Sequence, residues 1–226
     1  MVCDLDGTLI DQEGVPTPGA AGALAELAEG GVLVMVCTGR PVAVARPMLA
    51  RIGLRPHVLG TFHGGMVEDL RSGGLLRLLH LPPDSAETVQ WLLRQRAVET
   101  STYREGERQA VVRIIGTGGV GVVAAAQEML GRLAPRATRA ELAAPGRLDV
   151  RHRLAVKAEA VRFVAGQLRL PLAAVAAAGD DGSDAEMLRL AGRAIVVGDE
   201  TGPLAGVPAT FVPPAGLAAC LRSLLD

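Results

Sequence analysis

Short apolar runs alternate along this chain with longer segments in which alanine and leucine recur at helical spacing among glutamate and arginine. Runs too brief for a helix and apolar at nearly every position read as strands covered on both faces, and the periodic segments between them as the helices that cover them. The pattern predicts strands at Val2 to Leu5, Val32 to Cys37, His57 to Gly60, Ala173 to Ala178 and Ala194 to Val197. Helices are expected near Ala20 to Glu29, Val42 to Ile52, Leu154 to Leu168 and Ala185 to Ala191. This alternation belongs to the α/β class, with a doubly wound, Rossmann-like parallel sheet.

After Pro82 and Pro83 the rhythm changes to a helix (Ser85 to Arg96), two strands around Arg104 to Glu107, a helix (Val122 to Leu133) and two more strands ending near Val150. We read residues 82–152 as a small inserted α/β domain that splits a core made of residues 1–81 and 153–226.

A chain of 226 residues buries an ample core without disulfides or structural metals. Its net charge of -1 gives no electrostatic reason to bind nucleic acid or an anionic membrane, so a small molecule is the expected partner. Apolar stretches such as Val32 to Cys37 are too short to cross a bilayer, and the first residues lack a basic-then-apolar signal pattern, which points to the cytoplasm. Cys3, Cys37 and Cys220 are an odd count without metal-ligand spacing and read as buried reduced thiols.

In an open parallel sheet the residues just beyond the carboxyl ends of the strands form the binding crevice. Four such places carry reactive groups. The first strand runs into Asp4-Leu5-Asp6-Gly7-Thr8, where a spacing of two sets both carboxylates on one side and Gly7 permits a tight turn. The second ends in Thr38-Gly39-Arg40, a hydroxyl and backbone N–H groups before a helix whose Pro41 suits the first turn: a phosphate seat. Lys157 opens the helix that follows the insertion, within reach of the same oxyanion. The fourth place is Gly179-Asp180-Asp181-Gly182-Ser183-Asp184, acids crowded on one turn at a cost that a cation would offset. Each alone reads equally well as a turn, a helix cap, a solvated loop or a surface lysine; their order and their placement at strand ends carry the argument. Among 23 basic residues Lys157 is the single lysine, which marks a position where a compact point charge serves and a guanidinium does not.

Asp4-Leu5-Asp6-Gly7-Thr8-Leu9, Thr38-Gly39-Arg40, Lys157 and Gly179-Asp180 with Asp184 resemble the four motifs of the haloacid dehalogenase-like (HAD) superfamily over essentially the whole chain. The insertion between the second and third motifs resembles the Cof-type branch, whose α/β cap selects sugar phosphates and other small phosphoesters. The resemblance implies a Mg2+-dependent phosphatase with Asp4 as nucleophile and Asp6 as general acid/base. Thr38, Gly39 and Lys157 would hold phosphate, and Asp180 and Asp184 would anchor magnesium with the Asp4 carboxylate and the Asp6 carbonyl. Two carboxylates thereby take two roles, one attacking and one moving protons.

Three departures from the family pattern stand out. Ser183 replaces the usual asparagine of the last motif, His63-Gly64 stands where the branch often has Asn-Gly, and only three residues precede Asp4, so the first strand is shorter than the family's. Asparagine is absent from the entire chain, so the first two fit compositional drift.

Two other classes compete. Gly116, Gly118 and Gly121 spell a dinucleotide-binding fingerprint inside the insertion, with Glu141 about 20 residues on as the ribose-binding acid. That reading leaves four converging acidic and basic motifs without a task. A non-hydrolytic phosphoester-binding or mutase-like protein would use the same four motifs, whereas a receiver-type domain needs only about half this length. Arg104, Arg108 and Arg113 read first as a solvated strand face and second as a contact for substrate anions.

Overall fold

The computed structural model describes residues 1–106, 109–134 and 136–225; the expected strand end at Glu107, and Arg108 of the arginine group, lie outside them. In chain order the elements are β1 (Val2–Cys3), α1 (Ala20–Glu29), β2 (Met35–Cys37), α2 (Val42–Arg51), β3 (Val58–Thr61), β4 (Met66–Asp69) and β5 (Gly74–Leu78). Next come α3 (Pro83–Arg94), β6 (Glu99–Glu105), β7 (Ala110–Thr117), α4 (Val120–Leu133), β8 (Thr138–Ala144) and β9 (Arg147–His152). The chain closes with α5 (Lys157–Gln167), β10 (Ala176–Gly179), α6 (Ala185–Leu190), β11 (Arg193–Val197), β12 (Thr210–Val212) and α7 (Leu217–Arg222). It divides into two units, Met1–Leu76 with the chain from Val156 onward, and Arg77–Ala155.

The larger unit holds a sheet in the order β12-β11-β10-β1-β2-β3-β4-β5. Every pairing from β12 to β3 is parallel, and β4 returns antiparallel to β3. Register aligns two rows across the central strands. Leu59, Val36, Cys3, Ala178 and Ile195 face one layer, with Leu24, Leu27, Leu49 and Leu221 of α1, α2 and α7. One residue earlier, Val58, Met35, Val2, Ala177 and Ala194 face the other, with Val161, Val164 and Met187 of α5 and α6. Alternation on a strand fills both layers, which is why these strands read as continuously apolar. The order leaves β1 on one side toward β2 and on the other toward β10, so the switch in winding falls beside β1, the position at which open parallel sheets bind ligands.

In the smaller unit α3 and α4 pack on one face of an antiparallel sheet, β6-β7-β9-β8, around Leu93, Ile114, Val123, Leu130, Leu148 and Val150. Strand β9 lies between β7 and β8, so the strands flanking α4 are not neighbours, as a dinucleotide-binding βαβ unit requires. The glycines have another use. The Gly118 N–H donates to the Gly146 carbonyl, and a Cβ on Gly146 would stand 2.6 Å from the Gly118 oxygen. Close backbone approach accounts for the motif, and Glu141 is ion-paired with Arg139 and Arg151.

The expectation of a solvated face at Arg113 fails. Arg113, Asp149 and Arg151 are buried on the sheet face opposite the helices, and Arg113 grips Asp149 with Nε at 3.0 Å and Nη2 at 2.6 Å. Alternation hid this pairing, because strands distant in sequence supply its partners. Arg104 is exposed and donates to the Gln109 carbonyl.

Elements of the larger unit differ from the pattern chiefly at their ends. Strand β2 begins at Met35, and α5 at Lys157 because Val156 is extended at its N-cap. Strands β4 and β12 and helix α7 carry no usable periodicity, being three to six residues long. Among the described residues no helix is long and apolar enough to cross a membrane. Cys3 and Cys37 are buried, Cys220 is half-buried, and none of the three is in a disulfide.

Candidate active site

The β1 ladder continues one bond past the strand: the Asp4 N–H donates to the Ala178 carbonyl at 2.9 Å, which fixes the buried Asp4 beside the end of β10. Two residues on, Gly7 turns the chain with φ at +81°, and a Cβ there would stand 1.9 Å from Asp180 Oδ2. Gly179 makes the matching concession, since its Cβ would stand 2.5 Å from Asp184 Cγ. Both glycines are therefore the space in which two carboxylates approach Asp4. Donors hold them there. Thr8 Oγ1 donates to Asp180 Oδ1 at 2.9 Å, and the N–H groups of Asp180 and Asp181 donate to Asp184 Oδ2 at 3.2 and 3.4 Å. The Ser183 N–H donates to Asp181 Oδ1, so this position serves the turn through its backbone.

Lys157 closes the cluster. Its Nζ lies 2.6 Å from Asp4 Oδ1 and 2.7 Å from Asp184 Oδ1, with all three side chains buried. Burial alone would strip the ammonium of its proton, but the two carboxylates outweigh it and hold Lys157 above the ordinary lysine range. One ammonium shared between two carboxylates does not hold both of them down. Burial pushes Asp4 well above the carboxylate range, with Asp184 and Asp180 adding to it, and Asp184 rises for the same first reason. Asp180 is pushed up to about 6 by burial and by its acidic neighbours, against the bond from Thr8.

Oxygens of Asp4, Asp180 and Asp184 lie within 4.8 Å of one another. Three carboxylates (-3) and one ammonium (+1) leave a formal charge of -2, and raised carboxylate affinities for protons are the mark of a missing positive charge. This donor set, oxygen only, fits a hard divalent cation.

The Asp6 carboxylate is outside that cluster. Arg40 grips it with Nε at 2.8 and 2.9 Å from the two oxygens and Nη2 at 2.6 Å, and Thr38 Oγ1 stands 3.4 Å from Oδ2. The expected seat at Thr38-Gly39-Arg40 differs in detail, because the Arg40 N–H is bonded to Thr38 Oγ1 and Pro41 is the N-cap of α2 and not its first turn. The chain thus brings the buried Asp4, Lys157 and Asp184 and the half-buried Asp180 into one cluster, with Asp6 and Thr38 forming a second group.

A family model described as haloacid dehalogenase-like hydrolase matches residues 1–112 and 123–205. The chain belongs to this family. Among curated proteins it is 36% identical over 86 residues to the HMP-PP phosphatase of Serratia proteamaculans, a stretch covering 38% of this chain and 31% of that protein. Among solved structures, a haloacid dehalogenase-like hydrolase from Bacteroides thetaiotaomicron superimposes with a TM-score of 0.85 at 17% identity, covering 99% of this chain and 98% of the other. A sugar phosphatase of HAD subclass IIB gives 0.78 at 15% identity, covering 99% and 97%. The fold is accordingly that of the HAD branch with an α/β domain inserted between the second and third motifs.

Sequence reasoning gave no role to Arg40, Thr8 or Gly179, which contact or make room for Asp6, Asp180 and Asp184. Arg40 and Gly179 sat inside quoted motifs, but the partner of each is set by strand order, which single-strand patterns do not carry.

Proposed function

We propose that this chain is a magnesium-dependent phosphatase that hydrolyses a small phosphorylated metabolite, a sugar phosphate or phosphoglycolate-like ester, through an aspartyl phosphate on Asp4. The observation that carries it is the contact of Lys157 with Asp4 and Asp184 beside Asp180: a nucleophile, an electrostatic holder and a divalent-cation cradle in one place. The phosphatases among its relatives support the same reading.

Asp4 attacks phosphorus as the bond to the ester oxygen breaks, and Asp6 delivers a proton to that oxygen. Asp6 then takes a proton from water as it attacks the aspartyl phosphate, which frees phosphate and restores Asp4. Arg40 has to release Asp6 for the first of these steps, since among the described residues the hydrogen bonds of that carboxylate are with the guanidinium and Thr38. Lys157 and Thr38 hold phosphoryl oxygens against the charge that builds in the transition state. Asp4, Asp180 and Asp184 would hold magnesium, which would neutralise charge on the phosphoryl group and keep Asp4 ionised. Choice of ester is assigned to the insertion, residues 82–152.

A phosphate-release screen over sugar phosphates, phosphoglycolate, nucleotides and cofactor phosphates tests this directly. Repeated turnover with magnesium and none in excess chelator is expected. A single equivalent of phosphate, or binding without release, would replace the hydrolase with a phosphoester-binding or transfer protein.

A further inference from the structure

Strand β3 ends in a strained turn. Phe62, His63 and Gly64 have φ of 51°, 56° and 83°, three successive residues in the left-handed region, two of them carrying side chains that disfavour it. The surroundings hold the turn in place. The Phe62 and His63 N–H groups donate to the carbonyls of Arg40 and Thr38, at 3.1 and 2.9 Å, which stitches it onto the end of β2. Gly64 presses against α5, where a Cβ would stand 2.4 Å from the Ala160 Cβ.

That backbone aims the imidazole sideways. A Cβ on Gly39 would stand 2.6 Å from His63 Nε2 and 2.7 Å from Cε1, so the ring covers Gly39 with its Cε1–Nε2 edge. Adjacent strands lie about 4.8 Å apart, so a side chain from the end of β3 that covers the end of β2 has moved one strand toward Asp4 at the end of β1. His63 is itself half-buried.

We propose that His63 is a further phosphate-contacting residue of this site, its Nε2 edge donating to a phosphoryl oxygen of the bound ester above Gly39. The strain of the turn and the absence of a side chain at Gly39 then have one explanation, since both place this ring. The inference rests on the phosphatase reading, and a binding measurement separates the two. Inorganic phosphate is titrated calorimetrically, in magnesium, into wild type, His63→Gly and His63→Asn, with thermal midpoints recorded for each. Glycine relieves the backbone while deleting the ring; asparagine tolerates the same φ and keeps a shorter N–H donor. Phosphate should bind His63→Gly about tenfold more weakly, the worth of one hydrogen bond to a charged group, with His63→Asn between. In turnover the loss should fall on KM more than on kcat. A His63→Gly protein that melts like wild type and binds phosphate within about twofold overturns the inference. Should His63→Gly not fold, His63→Asn decides by the same twofold criterion. A wild type that binds no phosphate overturns it as well. A wild type that binds phosphate but hydrolyses no ester sinks the phosphatase reading and leaves the comparison of variants valid.

Discussion

Each of the two units buries a cluster of charges, and the clusters are built on opposite principles. In the smaller unit Arg113, Arg139 and Arg151 meet Asp149 and Glu141, three cations for two anions, through guanidinium–carboxylate contacts that satisfy each acid from two sides. The result is balance: burial would raise Glu141, but its two arginines leave it below the ordinary range. In the larger unit three acids share one lysine, and all three are pushed upward. Buried charge alone therefore does not mark a site. Buried charge left uncompensated does, because the fold bears that cost only where another charge is to arrive.

The largest expected effect tests the nucleophile. Asp4→Asn should lower kcat about 10⁴-fold or more, as loss of a covalent group does, while the metal-free protein melts no lower than wild type, because Lys157 then serves Asp184 alone. Turnover within about tenfold of wild type would remove Asp4 from the chemistry. Asp149→Ala should do the reverse in the balanced cluster. It removes the acid that Arg113 grips and one of the two acids on the buried Arg151, at a cost of about 3–5 kcal/mol in denaturant unfolding. A change below about 1 kcal/mol would mean the arginines find other partners, and the contrast between the clusters would not hold.

Next in size is Lys157→Arg, expected to lower kcat about 10²-fold with charge retained. A guanidinium is planar and bulkier than an ammonium, and the 2.6 and 2.7 Å contacts to Asp4 and Asp184 leave room for a point charge only. Unchanged kcat would show that the lysine balances charge without positioning anything.

How far these clusters were legible in the sequence follows from the same contrast. The strand-end acids were visible because parallel sheets gather carboxyl ends, so position along the chain stood in for position in space; Asp4, Asp180 and Asp184 lie together in the fold. The arginine–acid network was not, since Arg113 and Asp149 are bonded across β7 and β9 and alternation alone left Arg113 on an outer face. Helix α1 matched its expected bounds because its apolar stripe, Ala20, Ala23, Leu24 and Leu27, is strictly periodic. Strand β12 was missed because Thr210–Val212 offers too few residues for any period, and the turn at His63 because φ is not written in a histidine.

The smallest effect is the most specific to uncompensated charge. Asp180 has an ordinary value of 3.8 and is pushed up to about 6 in the folded chain, first by burial and then by Asp184 and Asp181, with Thr8 opposing. Between those values the folded protein holds more protons at Asp180 than the unfolded chain does. Stability of the metal-free protein therefore falls, through this group, as pH rises across that window, and the loss is complete above it. Magnesium reverses the order of preference, because a cation binds the ionised carboxylate and a proton competes with it. The rise in melting midpoint produced by magnesium should accordingly be larger at about pH 7.5 than at about pH 5.5, and Asp180→Asn should flatten that difference. Melting curves in chelator and in excess magnesium at the two pH values decide it. An equal magnesium shift at both would mean that no carboxylate with a raised pKa takes part in holding the ion, and the charge deficit of the larger unit would need another explanation.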